Sequence, residues 1–157
     1  MACKIRSLAP SLLAALLSVL PSTASLAAGK VVEQTVDVPR ENRIPLAISF
    51  EKSTILALES QNDPKPEDVE EAKSKDPGDR QWVILRFYYR NDGWTRQKVS
   101  LRALLLDEAG GVLAEATGAK TLGKQQTEDT VWIKFHPKTV DWGRAAKMKV
   151  VATFLEP

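Results

Sequence analysis

The sequence has little of the chemistry on which small exported domains and many enzymes depend. Its 157 residues include one cysteine, Cys3, and one histidine, His136. Because Cys3 lies before the first apolar run, the rest of the chain has neither a thiol nor a disulfide. The fold must therefore be stabilised by apolar burial and strand pairing alone.

The same scarcity limits catalytic and metal sites. A histidine-activated nucleophile would depend on His136, and no Gly-x-Ser-x-Gly motif is present to position a serine. One histidine and one methionine beyond Met1 cannot build a zinc or copper site, and the acidic residues match no calcium-loop spacing. Two carboxylates that meet in space could still form a hydrolase site, which we keep as a hypothesis beside the two binding functions given below, although most acids lie at turns. We expect no catalytic residue, metal or cofactor, and hence no enzyme.

The longest apolar run, residues 8–20, is too short to span a bilayer comfortably. It follows Lys4 and Arg6 and precedes small residues ending at Ala27, which is typical of a secretory signal. We predict that residues 1–27 are a cleaved signal peptide and that residues 28–157 form one domain. The alternative is an uncleaved anchor. We therefore expect a periplasmic or secreted protein that has no stable membrane span. The pattern is most typical of a protein of the bacterial envelope.

Beyond the predicted signal, neither basic nor acidic residues are in excess. Two of the 22 basic residues, Lys4 and Arg6, lie in the predicted signal, which leaves 20 basic against 20 acidic residues. A neutral domain gives no reason to expect nucleic acid as a partner. Residues 61–80 differ from the rest, because residues 61–79 contain seven acids and three bases and almost no apolar side chain. We interpret this segment as an acidic loop insertion with a short helix at most.

Apolar and polar residues alternate through most of the remaining chain, which predicts half-buried strands. Such runs begin at Val32, Ile44, Thr54, Val83, Val99, Val112, Thr130 and Met148. The run from Thr54 reads as a strand or as one short helix, and Pro45 indicates a sheet edge. Clusters of Gly, Pro, Asn and Asp separate the runs, and helices long enough for a βαβ fold are absent. We predict an all-β, antiparallel two-sheet sandwich of seven to eight strands.

Residues 81–93 form the central strand and its turn. Phe87 falls on the face that points into the core, while Trp82, Arg86, Tyr88 and Arg90 fall on the opposite face. Asn91, Asp92 and Gly93 tolerate left-handed backbone angles, so we expect a β-hairpin there. That hairpin would pair the central strand with residues 98–106 and bring Lys98 and Arg102 beside Arg86.

Residues 82–154 resemble the FxLYD type of bacterial immunoglobulin-like sandwich. The correspondence consists of a strand ending in Asn91, a second ending in Asp107, a turn at Gly110 and Gly111, and two further strands at 130–135 and 148–154. The four named positions of the signature hold Ala103, Leu105, Leu106 and Asp107, so its Phe and Tyr are missing. The resemblance implies an immunoglobulin-like fold and an extracytoplasmic accessory role, with no family active site.

The outward-facing aromatic and basic residues are the candidate binding site. These are Trp82, Arg86, Tyr88, Arg90, Arg102, Trp132 and Lys134. Trp, Tyr and Arg contribute most where partners bind, because they combine a large contact area with a polar group. The hypothesis is a non-enzymatic module that binds a protein partner of the envelope. A glycan-binding module, in which Trp94, Trp132 or Tyr88 stacks on sugar, is the alternative. In the simpler interpretation the tryptophans only plug the ends of the core.

Overall fold

The structure, a computed structural model, describes residues 29–62 and 80–155, and most of these residues lie in two four-stranded antiparallel sheets. The predicted signal and most of the predicted acidic loop lie outside the described residues. The prediction of an all-β, two-sheet antiparallel sandwich is confirmed.

The first sheet has the strand order β1-β8-β5-β6 and the second has the order β2-β3-β4-β7. The first contains β1 (Lys30–Asp37), β5 (Gln97–Leu106), β6 (Val112–Leu122) and β8 (Lys147–Leu155). The second contains β2 (Ile44–Phe50), β3 (Ser53–Asn62), β4 (Val83–Asn91) and β7 (Gln126–Phe135). One short helix, α1 (Thr139–Arg144), precedes β8.

The core lies between the sheets and follows the alternation of the sequence. Phe87 of β4 and Leu101 of β5 are fully buried, one from each sheet, as the pattern predicted. The strand interpretation of the run from Thr54 is correct, and β2 with Pro45 lies at an edge of its sheet. The other fully buried large side chains include Ile48, Ile55, Leu58, Leu85, Leu105, Leu122, Met148 and Phe154.

The predicted hairpin after β4 is wrong, because β4 and β5 belong to different sheets. The five residues between them cross from one sheet to the other. None of the described residues 91–96 has a positive φ, so Asn91 does not use the left-handed angle that a two-residue hairpin turn requires. Its buried side chain instead donates to the carbonyls of Thr95 (2.9 Å) and Gly123 (2.8 Å). We call residues 92–96 the arch.

A true hairpin joins β5 to β6. The Asp107 amide and the Gly111 carbonyl close it at 3.0 Å, and the Asp107 carboxylate accepts from the Gly111 amide at 2.7 Å. Gly110 has a φ of 82°, a conformation that favours glycine. This is the turn that the Asp-Glu-Ala-Gly-Gly sequence predicted.

The segment between β7 and β8 contains the short helix α1, which the sequence pattern had not shown. Trp142 of α1 is buried and packs edge-on against Phe135, with ring centroids 6.0 Å apart. The Arg40 guanidinium donates to the carbonyls of Trp142 (3.0 Å) and Ala145 (3.1 Å) at the end of the helix. Trp142 therefore closes one end of the core, as the plugging interpretation expected for it.

Candidate functional site

The outward face of the second sheet brings together most of the predicted site residues. We call it the aromatic face, defined by Trp82, Arg86, Tyr88, Trp132 and Lys134. Strands β4 and β7 position these side chains, with Arg86 directly opposite Trp132 and Ile84 directly opposite Lys134. Alternation along two adjacent strands explains why one surface carries all five.

Trp132 is the most exposed aromatic residue on this face, with 45% of its surface accessible. The Lys120 ammonium, on β6, lies 5.0 Å from the Trp132 ring centroid, a distance typical of a cation–π contact. Arg86, across the strand pair, donates to the Gln61 side-chain oxygen at 3.2 Å. Neither Arg86 nor Lys120 forms an ion pair with the described residues. An exposed indole thus lies beside two cations that no carboxylate of residues 29–62 and 80–155 pairs with.

Tyr88 lies in a polar network that fixes its ring. Its hydroxyl donates to the Glu59 carboxylate, and the Arg43 guanidinium covers the ring at 3.8 Å from its centroid. Arg43 is also paired with Glu128 at 3.1 Å, and the hydrogen bond to Glu128 raises the pKa of Arg43. Tyr88 is half-buried, and the Arg43 guanidinium covers its ring.

Trp82 forms the other end of the aromatic face. Its ring stacks on that of His136, with centroids 4.0 Å apart and planes 8° from parallel. The Lys134 ammonium lies 5.7 Å from the same indole. Burial, with a smaller contribution from Arg80, lowers the pKa of His136, which favours the neutral ring in this stack. His136 is therefore a packing residue.

One of the predicted site residues, Arg102, lies on another surface, and Arg90 lies at the end of the same outward side of β4 as Arg86. Arg102 lies on β5, whose outward side is on the opposite surface of the sandwich, and there it forms a two-pronged ion pair with Glu115 at 2.7 and 2.8 Å. The error follows from the wrong hairpin, which would have placed β5 next to β4. Arg90 is at the end of β4 and is paired with Asp92 at 3.1 Å.

Sequence reasoning missed three residues that complete the face: Arg43, Glu59 and Lys120. Strict alternation from Thr54 would place Glu59 on the inward side with Ile55. An irregularity of β3 between Ile55 and Ala57 turns Glu59 outward instead, directly opposite Arg86. Arg43 lies before β2, and Lys120 lies on β6 in the other sheet. Arg43 reaches Tyr88 across β3 within one sheet, whereas Lys120 reaches Trp132 from the other sheet. Both positions depend on which strands are neighbours, which no local pattern encodes.

Across residues 29–62 and 80–155, no three histidine, cysteine or carboxylate side chains come together as a metal site requires. The described chain has no apolar helix of membrane-spanning length.

The chain matches no family model and no curated protein.

Proposed function

We propose that the chain is an exported, non-enzymatic interaction module of the cell envelope, which binds an acidic segment of a protein partner through the aromatic face. The observation that supports this function best is the surrounding of Trp132. Its half-exposed indole has Arg86 opposite it and the Lys120 ammonium 5.0 Å above it, and neither cation is in an ion pair with the described residues.

A carboxylate of the partner would complete this arrangement. Arg86 presents a planar fork of donors that matches a carboxylate, and hydrogen bonds between charged groups are roughly twice as strong as neutral ones. The indole supplies apolar contact area beside the charged pair. Residues of these types make up most binding hot spots, particularly where surrounding side chains exclude water.

The face is also held in place before any partner binds. Strand pairing fixes where the backbones of β4 and β7 place these side chains, and Tyr88 is fixed further by Glu59 and Arg43. A partner therefore has less side-chain freedom to remove, which reduces the entropic cost of association.

The fold family and the cellular location are part of the same proposal. An immunoglobulin-like, FxLYD-type domain would be expected outside the cytoplasm in an accessory role. The sandwich of two four-stranded sheets is compatible with that class, and the signal-like residues 1–27 support export.

A crosslinked pull-down from the native envelope tests the proposal. We expect the protein to recover a partner, and Trp132→Ala or Arg86→Glu to reduce the recovery at least tenfold. Arg102→Glu is the matched control, since it makes the same charge change on the opposite surface and should leave recovery unchanged. Equal recovery with all variants, or loss only with Arg102→Glu, would contradict the proposal.

A further inference from the structure

Trp94 is a second exposed aromatic residue, at the other end of β4 from Trp82. With 76% of its surface accessible, it is the most exposed large apolar side chain of the described residues. It forms no side-chain hydrogen bond or ring contact within residues 29–62 and 80–155. Core packing therefore does not explain why an indole occupies this position.

The arch that carries Trp94 is nevertheless tightly bonded. The Asn91 side chain donates to two carbonyls, and its oxygen accepts from the Gly93 amide at 2.9 Å. The Gly93 carbonyl accepts from the Gln125 amide at 3.0 Å, and the Asp92 amide donates to the Lys52 carbonyl at 2.9 Å. A rigid loop thus presents the indole to solvent.

An open cleft of about 190 Å³ lies beside the indole. Three of its polar lining residues, Ser53, Asn91 and Gln97, are more than nine-tenths buried. The Gln97 amide nitrogen donates to the carbonyls of Lys98 (3.0 Å) and Leu155 (2.6 Å), which fixes the carboxamide. Neither the Gln97 side-chain oxygen nor the Ser53 hydroxyl is hydrogen-bonded within the described chain. Both remain available to a ligand.

The rim of the cleft is polar and balanced in charge. Glu51 and Lys52 line it from the β2–β3 turn, and neither forms an ion pair with the described residues. The cleft is smaller than the roughly 300–1,000 Å³ pockets that enclose drug-sized ligands. A ligand that fits is accordingly small, uncharged and polar at its edges, with one apolar face for the indole.

We propose that the Trp94 cleft binds one pyranose ring of an uncharged glycan. The C–H face of the sugar would stack on the exposed indole, and its hydroxyls would bond with Ser53, Gln97, Glu51 and Lys52. This ligand matches an apolar platform that has convergent polar groups at its side. Tyr88 is less suited to stacking, because Arg43 already covers its ring at 3.8 Å.

Titration of the intrinsic tryptophan fluorescence of the purified protein tests this site. The probes are cellohexaose, maltohexaose, xylohexaose and chitohexaose at millimolar concentrations. We expect a saturable change with at least one of them and at least tenfold weaker binding by Trp94→Ala. Trp132→Ala is the matched control and should bind as tightly as the unmodified protein. Ser53→Ala should weaken binding severalfold while near-ultraviolet circular dichroism stays unchanged.

Three outcomes would overturn the glycan site. The first is no saturable response with any of the four probes. The second is a response that Trp94→Ala retains, and the third is one that only Trp132→Ala removes, since that would place the sugar on the aromatic face. The test is independent of the proposed protein partner: Trp94→Ala should leave the pull-down unchanged. A pull-down lost with Trp94→Ala, together with four silent probes, would assign the arch to a protein contact.

Discussion

Tyr89 shows how a single hydroxyl completes the core. Its ring is buried beneath the second sheet, whereas its hydroxyl donates to the Asp129 carboxylate at 2.9 Å and accepts from the Gly123 amide at 2.8 Å. Gly123 also accepts from Asn91, so these residues join β4, the β6–β7 turn and β7. Tyr88, the preceding residue, has a comparable hydroxyl bond on the outer face. The two tyrosines differ in burial rather than in chemistry.

We expect Tyr89→Phe to lower the free energy of unfolding by about 1–2 kcal/mol, because it leaves the partly buried Gly123 amide without its acceptor. Urea denaturation monitored by circular dichroism measures the change. Tyr88→Phe is the matched control and should lose less, since Tyr88 is only half-buried and no backbone amide depends on its hydroxyl. Equal losses would show that burial does not decide the contribution of these hydroxyls.

Stability should also depend on Tyr89 at high pH. Burial is the main cause that raises the pKa of the Tyr89 hydroxyl above its ordinary value of 10.0. The native state then keeps a proton that the unfolded state releases. This contribution is complete below pH 10.0 and is lost as pH rises toward the native pKa. Urea denaturation of the unmodified protein and of Tyr89→Phe from pH 8 to about 11 measures this effect. The difference between their free energies of unfolding should narrow as the pH rises, and a widening difference would contradict the assignment.

Among the elements, β6 and β7 meet at the edges of the two sheets through small side chains. Ala114, Ala116 and Gly118 point inward from β6, opposite buried residues of β5. A Cβ at Gly118 would lie 2.4 Å from Cγ2 of Ile133 on β7. The absence of a side chain at Gly118 therefore lets the two edge strands approach, and this approach brings Lys120 over Trp132.

Gly118→Ala should destabilise the protein by about 1–3 kcal/mol, because Ile133 is buried and must move. Ala119→Val, on the exposed side of the same strand, should cost far less. The double variant Gly118→Ala/Ile133→Ala tests the contact itself. It should be less destabilised than the sum of its single variants by at least about 0.5 kcal/mol in urea denaturation. Simple additivity would mean that Gly118 has another role.

The arch is the connection between strands that the sequence pattern predicted wrongly, as a hairpin. Both flanking strands were predicted with nearly correct bounds, and the turn residues Asn91, Asp92 and Gly93 were correctly placed between them. Their composition does not specify whether the chain returns within one sheet or crosses to the other. That choice moved Arg102 to the opposite surface and removed it from the candidate site.

For the molecule as a whole, apolar burial outweighs surface charge. The first sheet carries ion pairs Asp37–Lys147 (2.6 Å), Glu33–Lys149 (2.8 Å) and Arg102–Glu115 (2.7 Å) on its outward face. Their side chains are between 32% and 74% exposed, so water and salt weaken the attraction. The side chains of the core between the sheets are almost completely buried by comparison.

Raising sodium chloride to about 1 M should therefore lower the free energy of unfolding by less than about 1 kcal/mol. Urea denaturation at low and high salt measures this, and Asp37→Asn should show the same small loss at low salt alone. A loss above about 2 kcal/mol at high salt would mean that the surface pairs, rather than the core, dominate stability.

The sequence by itself determined the strands, their inward and outward sides and the antiparallel two-sheet class, because alternation is a local property of an extended chain. It also placed Trp82, Arg86, Tyr88, Trp132 and Lys134 on outward sides. Only the tertiary structure decided which strands are neighbours, and so added Arg43, Glu59 and Lys120 to the aromatic face and excluded Arg102. Strand order depends on which crossings bury the most apolar surface across the whole chain, and no short stretch contains that information.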